Sequence, residues 1–372
     1  MAKTVLISIN ASWNIINFRK GLIRGLQNAG YRVVVAAPED AYSRQISELG
    51  AEYIPLEMDK QGLSPARDLL LLARYFILLR RVRPDIFLGY TAKPNVYGSL
   101  ACRVLAIPVI NNVAGLGTAF IAEGWLTRLL TRMYRLAFGS SKTVFFQNPE
   151  DMRLFLDKGM VREHQARLLP GSGIDLELFK PASASEMDGK FRFLLVARLL
   201  WDKGVREYVE AARRLRASHP DARFQILGFT DVENRTAVSR ATVDEWGAEG
   251  VIEYLGPADD VRPFIAAADC VVLPSYREGL PRVLLEAAAM GKPLIATDVP
   301  GCRDVVEHGK NGFLCTVRDG ASLSAAMTKM IDLLPFERQQ LGASGRRKVE
   351  AGFDEKIVVD RYLSAIAQAI RQ

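Results

Sequence analysis

The sequence predicts an α/β protein built from two doubly wound domains, each a parallel sheet between layers of helices. Three observations predict it. The 372 residues exceed one ordinary core. Apolar, β-branched runs alternate with helical patterns in both halves. Between the halves, turn formers replace large apolar residues. Composition agrees, because 49% hydrophobic and 24% charged residues with 29 Gly and 17 Pro describe a folded globular chain.

In the first half, assigned to a domain over 1–170, strands are expected at 4–10, 32–37, 51–55, 86–90, 108–113, 144–148 and 166–169. Helices fall between them at 18–29, 42–49, 66–83, 95–105, 126–137 and 148–158. A linker follows over 171–190, where Gly171-Ser172-Gly173 and Lys180-Pro181-Ala182-Ser183-Ala184-Ser185 are poor in core formers. The second domain, 191–352, restarts the pattern with strands at 191–196, 223–227, 251–255, 270–274 and 293–297 and helices at 205–217, 235–246, 261–268 and 282–290. The last segment, 353–372, spaces Ile357, Val358, Tyr362, Leu363, Ile366 and Ile370 as one face of a helix, which is expected to pack back on the first domain. Doubly wound sheets bind ligands at the carboxyl ends of their strands, so a cleft between two such domains is the expected site.

Charge and cysteine content narrow the setting. Residues 1–180 hold 23 of the 49 basic and 15 of the 42 acidic residues, so the net charge of +7 belongs to the first half. Such a field favours an anionic partner: a membrane surface, a lipid-linked diphosphate or nucleic acid. No nucleic-acid-binding module accompanies the charge, and no nucleic-acid partner is expected. Cys102, Cys270, Cys302 and Cys315 lie far apart without a CxxC pair, which suits a reducing cytoplasm and suggests neither disulfides nor zinc. A signal peptide and an apolar run of transmembrane length are both missing from the pattern.

The richest segment is Ser275-Tyr276-Arg277-Glu278-Gly279-Leu280-Pro281-Arg282-Val283-Leu284-Leu285-Glu286. It follows an apolar strand and opens a helix near Pro281, where the missing N–H costs nothing. A helix start there offers unpaired N–H groups and a positive dipole end to a diphosphate. Glu278 and Glu286 can accept hydrogen bonds from the hydroxyls of a transferred hexose and of a ribose. A second segment, Val196-Ala197-Arg198-Leu199-Leu200-Trp201-Asp202-Lys203-Gly204, follows the first strand of its domain. Arg198 supplies a fork and Lys203 a point charge for diphosphate oxygens.

These residues resemble glycosyltransferase family 4, the retaining GT-B enzymes, which carry an Arg and a Lys after the first strand of the second domain and an E-x7-E segment. The resemblance spans essentially the whole chain, extending to Thr297-Asp298-Val299-Pro300-Gly301-Cys302-Arg303 and Lys310-Asn311-Gly312-Phe313-Leu314. It implies catalytic roles for Glu278, Arg198 and Lys203, and donor contacts from Glu286, Gly279, Leu280, Pro281, Arg282 and Asn14. Many members carry Glu where Arg303 stands. The implied reaction is retaining transfer from a nucleotide sugar, UDP-N-acetylhexosamine first, with an oxocarbenium-like transition state. No D-x-D occurs in the sequence, and neither a cofactor nor a metal is expected, the cations and the helix start taking the ion's place.

After the first strand, Asn10-Ala11-Ser12-Trp13-Asn14-Ile15-Ile16-Asn17-Phe18-Arg19 stands where the family often has glycines. Asn14 and Asn17 are candidate ligand contacts, and a helix cap is an equal reading of Asn17. Tyr90-Thr91-Ala92-Lys93-Pro94-Asn95-Val96-Tyr97-Gly98, the loop from Asn111 to Phe120, and Phe146-Gln147-Asn148-Pro149 resemble the surface-polysaccharide branch, including transferases that add N-acetylgalactosamine to lipid-diphosphate-linked sugars. Lys93, Asn95, Asn112 and Gly117 are the acceptor-side candidates. His164, His219 and His308 are the only histidines, so the histidine that some relatives place near the acceptor is missing.

Two basic, apolar helices suggest peripheral contact with the cytoplasmic face of the inner membrane. One ends in Arg80, Arg81 and Arg83; the other sets Trp125, Leu126, Leu129, Leu130, Met133 and Tyr134 among Arg128, Arg132 and Arg135. Core packing explains the first as well as membrane contact does, and the second favours the membrane. Two other readings stand: a nucleotide-sugar 2-epimerase of similar fold, which needs an acid/base pair and no acceptor surface, and a non-catalytic sugar-binding module.

Overall fold

The computed structural model describes residues 2–59, 64–115, 125–181, 189–231, 234 and 236–371, with the side chains of residues 125 and 126 excepted. The chain forms two units, Met1–Gly173 with Glu355–Gln372, and Ile174–Asp354.

The first unit begins with β1 (Thr4–Ser8), α1 (Ser12–Phe18), α2 (Lys20–Asn28), β2 (Arg32–Ala37), α3 (Ser43–Glu48), β3 (Glu52–Pro55), α4 (Pro65–Val82) and β4 (Ile86–Tyr90). It continues through a π-helical turn (Pro94–Gly98) into α5 (Ser99–Val104), then β5 (Val109–Val113), α6 (Trp125–Phe138), β6 (Thr143–Phe146), α7 (Pro149–Asp157) and β7 (Ala166–Leu168). Its strands pair in parallel in the order β3-β2-β1-β4-β5-β6-β7, so the winding reverses between β1 and β4. Both faces are buried: Val5 and Ile7 pack into the layer holding Leu22, Ile23 and Leu26 of α2, and Leu6 packs into the opposite layer with Leu71 and Tyr75 of α4. This is why the strands read as apolar runs rather than as alternation.

The C-terminal helix, α15 (Glu355–Arg371), belongs to this unit and buries Val358, Tyr362, Ile366 and Ala369. It lies close on α2 because Gly21 and Gly25 leave room; a Cβ at Gly25 would fall 2.3 Å from Val359 Cγ1. Short residues four apart on α2 thus form the groove that receives α15.

The second unit contains β8 (Phe191–Val196), α8 (Val205–Leu215), β9 (Ala222–Leu227), α9 (Arg240–Ala248), β10 (Glu253–Tyr254), α10 (Arg262–Ala267) and β11 (Cys270–Leu273). After them come α11 (Arg282–Ala289), β12 (Leu294–Thr297), α12 (Cys302–Val305), β13 (Gly312–Cys315), α13 (Gly320–Asp332) and α14 (Pro335–Gly352). Parallel pairing runs β10-β9-β8-β11-β12-β13, with the reversal between β8 and β11. One device recurs in both units: an Asp just before the strand across the reversal accepts from the backbone of the first strand, Asp85 from Thr4 N and Asp269 from Arg192 N, each at 2.7 Å.

Several boundaries differ from the sequence reading. Residues 12–18, read as a ligand loop, form α1; Asn17 lies in its last turn and donates to Trp13 O at 2.9 Å, so it caps nothing. From Gly312 the chain forms a strand, β13, and α13 and α14 complete a domain that the sequence reading left empty after residue 297. The helix expected over 235–246 begins only at Arg240, capped by Ser239, whose hydroxyl accepts from Thr242 N.

Candidate active site

In the second unit the order reversal places the ends of β8 and β11 side by side, the position where an open α/β sheet binds its ligand. Two loops leave these strands and lock together. After β8, buried Leu199 and Leu200 anchor the chain before a 3₁₀ turn (Trp201–Lys203), which ends on Gly204 in the left-handed region at φ 73°. After β11, Tyr276 N donates to Asp202 O at 2.9 Å, tying the second loop to that turn. A third loop, following β12, supports both: Glu278 N donates to Pro300 O at 3.3 Å, and Gly301 lies against the Glu278 and Gly279 carbonyls.

This lattice brings Lys203 and Glu278 together, 75 residues apart in sequence, with Nζ 2.5 Å from Oε1. Both side chains are largely covered, 19% and 14% exposed, so the pair is held in a fixed, partly desolvated geometry rather than as a mobile surface contact. Arg198 occupies the same loop but is exposed, and its guanidinium makes no hydrogen bond or ion pair among the described residues. It is a cation without a resident partner beside a cation with one.

Helix α11 begins on Pro281, with no side-chain cap and no acidic residue in its first turn. Its positive end is therefore not neutralised locally. Glu286 lies one turn in and accepts from Arg282 Nε at 2.7 Å, an i,i+4 pair of which Glu286 is 12% exposed. Gly279 and Leu280 are part of the connection between the Glu278 pair and this helix. Arg303, the departure from the family pattern, bonds Asp298 through Nε at 2.9 Å and stays exposed.

Other groups in this region carried no role in the sequence reading. Thr236 Oγ1 donates to Asp202 Oδ1 at 2.8 Å, and Tyr276 OH donates to Glu207 Oε1 at 2.8 Å. Burial, then the Glu207 bond, pushes the Tyr276 hydroxyl up to about 12, so it stays a donor. Glu207 is 7% exposed with Oε2 unpartnered. Its position four residues after Lys203, where α8 starts, is the only sequence signal that could have marked it. Cys302 is buried beside the Lys203–Glu278 pair, and burial pushes its thiol up, as it does those of Cys102, Cys270 and Cys315.

The acceptor-side candidates behave differently from the donor-side ones. Lys93 pairs with Asp68 at 2.8 Å and is 14% exposed, so it is a tethered lysine rather than an open one. Asn95 and Asn112 are buried: Asn95 Nδ2 donates to Asn112 O, Asn111 Nδ2 to Asn95 Oδ1, and Asn112 Nδ2 to Tyr362 OH at 3.0 Å. This amide network fixes β5 against the π-helical turn and α15. Asn14 lies partly buried in α1, its N–H donating to Ala11 O. Gly117 and the rest of 116–124 lie outside the described residues.

Two parallel α/β sheets, each with its order reversal, form the architecture of glycosyltransferases of the GT-B type. The family model "Glycosyl transferases group 1" matches residues 190–332, and "Glycosyl transferase 4-like domain" matches residues 17–171. The two matches cover most of both units, and the chain belongs to these glycosyltransferases.

Curated relatives extend over the full length. N,N'-diacetylbacillosaminyl-diphospho-undecaprenol alpha-1,3-N-acetylgalactosaminyltransferase of Campylobacter jejuni is 28% identical over 97% of this chain and 98% of its own. The capsular polysaccharide biosynthesis glycosyltransferase CapM of Staphylococcus aureus is 23% identical over 95% and 93%. Among solved structures, Anabaena HepE in complex with UDP and glucose superposes with a TM-score of 0.81 at 19% identity, covering 98% of this chain and 100% of that one. WaaG, a glycosyltransferase involved in lipopolysaccharide biosynthesis, gives 0.75 at 17% identity over 97% and 99%. These structures share the fold.

Proposed function

We propose that the protein transfers N-acetylhexosamine from a UDP donor to a saccharide carried on a lipid diphosphate, with retention at the anomeric carbon and formation of an α-linkage. The observation that carries the reading is the Lys203–Glu278 pair beside the uncapped start of α11, in a chain similar end to end to the Campylobacter N-acetylgalactosaminyltransferase. In this reaction the bond from the anomeric carbon to the β-phosphate oxygen breaks, and a bond from the acceptor hydroxyl oxygen forms on the same face. The hydroxyl proton passes to the departing phosphate. Lys203 and Arg198 stabilise the charge that grows on that phosphate, and Glu278 holds a sugar hydroxyl while fixing the Lys203 ammonium. Glu286 accepts from the ribose once its Arg282 partner turns to phosphate. These cations and the helix start take the role that a divalent ion plays in other transferases, so turnover in EDTA is part of the proposal.

The test is transfer and hydrolysis across a panel of UDP- and GDP-sugars in EDTA, with a lipid-diphosphate-saccharide acceptor and a Glu278→Ala control. Selective turnover of UDP-N-acetylhexosamine, lost in the control, is expected. Release of a free 2-epimerised nucleotide sugar, or binding without turnover of any donor, would refute it.

The same proposal places the protein on the cytoplasmic face of the inner membrane. No described helix is long and apolar enough to cross a membrane. On α4, Leu69, Leu70 and Ile77 are 69%, 50% and 69% exposed, in a stripe flanked by Arg67, Arg80 and Arg81. On α6, Leu129 and Leu136 are exposed beside Arg128 and Arg132. Among the described side chains the stripe on α4 is the more apolar of the two, although the sequence favoured α6. An apolar stripe with a basic border suits insertion into an anionic headgroup layer. Leu69→Asp with Ile77→Asp is expected to weaken co-sedimentation with anionic vesicles by about tenfold or more. Unchanged binding would remove α4 from the contact.

A further inference from the structure

We infer that Arg19 forms a binding site for a phosphate or diphosphate group in the first unit. The inference rests on the transferase reading only for the source of that group, a nucleotide sugar or a lipid-linked acceptor.

Arg19 is 6% exposed, yet it forms no ion pair among the described residues. Its one side-chain hydrogen bond is a long contact from Nη1 to Phe18 O at 3.5 Å, and Nε has no partner. The guanidinium lies over the Tyr90 ring, 4.5 Å from the centroid, which orients it without neutralising it. Burial pushes the Tyr90 and Tyr362 hydroxyls up, and the Arg19 charge pulls against that push in both. The carboxylate of Glu355 lies against Gly21, two residues away, but makes no ion pair with Arg19. Buried arginines are ordinarily matched by a carboxylate, because an uncompensated buried charge destabilises the fold. Among the described residues that compensation is missing.

Position says what supplies it. Arg19 joins α1 to α2 with its guanidinium over Tyr90, and Tyr90 ends β4, the neighbour of β1 across the order reversal. The unpaired cation therefore sits at the carboxyl ends of the two strands between which an open α/β sheet receives its ligand. Its planar fork matches two phosphate oxygens at once, which Lys93, tied to Asp68, does not offer.

The experiment compares wild type, Arg19→Met and Arg19→Lys in the full chain. Melting temperature is read with and without inorganic pyrophosphate, in an Arg198→Ala, Lys203→Ala, Arg282→Ala background that removes the cations the second unit offers to a diphosphate. Arg19→Met is expected to melt no lower than its parent, since it removes an uncompensated buried charge, and to lose the pyrophosphate-induced rise. In the Lys203-containing protein, one substrate KM should rise about tenfold to a hundredfold, with kcat changed by less than about threefold, and Arg19→Lys should recover part of it. A rise in donor KM, measured as acceptor-free hydrolysis, assigns the phosphate to the nucleotide sugar; a rise in acceptor KM assigns it to the lipid diphosphate. Retention of both KM values and of the pyrophosphate shift in Arg19→Met overturns the inference and leaves Arg19 a packing residue. Should wild type transfer no sugar at all, the transferase reading fails, and the pyrophosphate shift still decides the fate of the anion site.

Discussion

Lys203→Ala is expected to lower kcat for sugar transfer by about a hundredfold to a thousandfold, the loss typical of removing one preorganised group from a developing oxyanion. The ammonium is held 2.5 Å from Glu278 in a site where both partners are mostly covered, so its charge is poorly screened and already in place before reaction. Donor KM should change much less than kcat, because the charge on the leaving phosphate is larger in the transition state than in the bound donor. Glu278→Gln should cost nearly as much, for it removes the group that fixes Lys203 as well as the proposed sugar contact. The double variant should then fall well short of the product of the single losses, because the two side chains act as one unit. Steady-state nucleotide release, paired with circular dichroism to confirm folding, checks both points. Additive losses, or a Lys203→Ala enzyme within about threefold of wild type, would remove the pair from the mechanism.

The pair also shows what the sequence could carry. Fold class was legible because strands buried on both faces are written as continuous apolar runs, such as the segment from Val33 to Ala37. Lys203 and Glu278 could be singled out together because each lies in a loop that follows a strand, and the strand ends bring such loops together whatever their spacing in sequence. The first unit was harder to read. Lys93 has the look of an open surface lysine, and only the folded chain shows Asp68 beside it. Asn95 and Asn112 read as polar loop residues, whereas each satisfies buried partners, a long-range matter that no local pattern records. Arg19 passed as one more basic residue at a helix start. Its interest lies in having no ion-pair partner among the described residues, which one dimension does not record. Helix α14 went unread for a different reason: Gly342 interrupts its apolar pattern, being used for close approach, where a Cβ would fall 1.9 Å from Gly291 O.

Gly204→Ala should show how tightly the site depends on such contacts. Gly204 ends the turn that carries Lys203, at φ 73° and ψ 26°, and a Cβ there would lie 2.0 Å from the Pro274 carbonyl oxygen. Two costs follow from one methyl group. The left-handed backbone alone disfavours Ala by about 1–2 kcal/mol, and forcing apart packed backbone adds about 1–3 kcal/mol. Pro274 is backbone that leads directly into the Glu278 loop, so relief of the clash must move Lys203 and Glu278 apart. A displacement of about 1 Å is enough to reduce turnover by about a hundredfold. Gly309→Ala separates the two effects: it has a similar φ of 78°, but nothing lies within 4 Å of its Cβ position. That variant should lose about 1 kcal/mol in urea unfolding and keep its activity, whereas Gly204→Ala should lose about 3 kcal/mol and most of its turnover. Equal behaviour of the two variants would mean that the β8 and β11 loops do not position each other, and the account of the Lys203–Glu278 pair as a preorganised unit would fall with it.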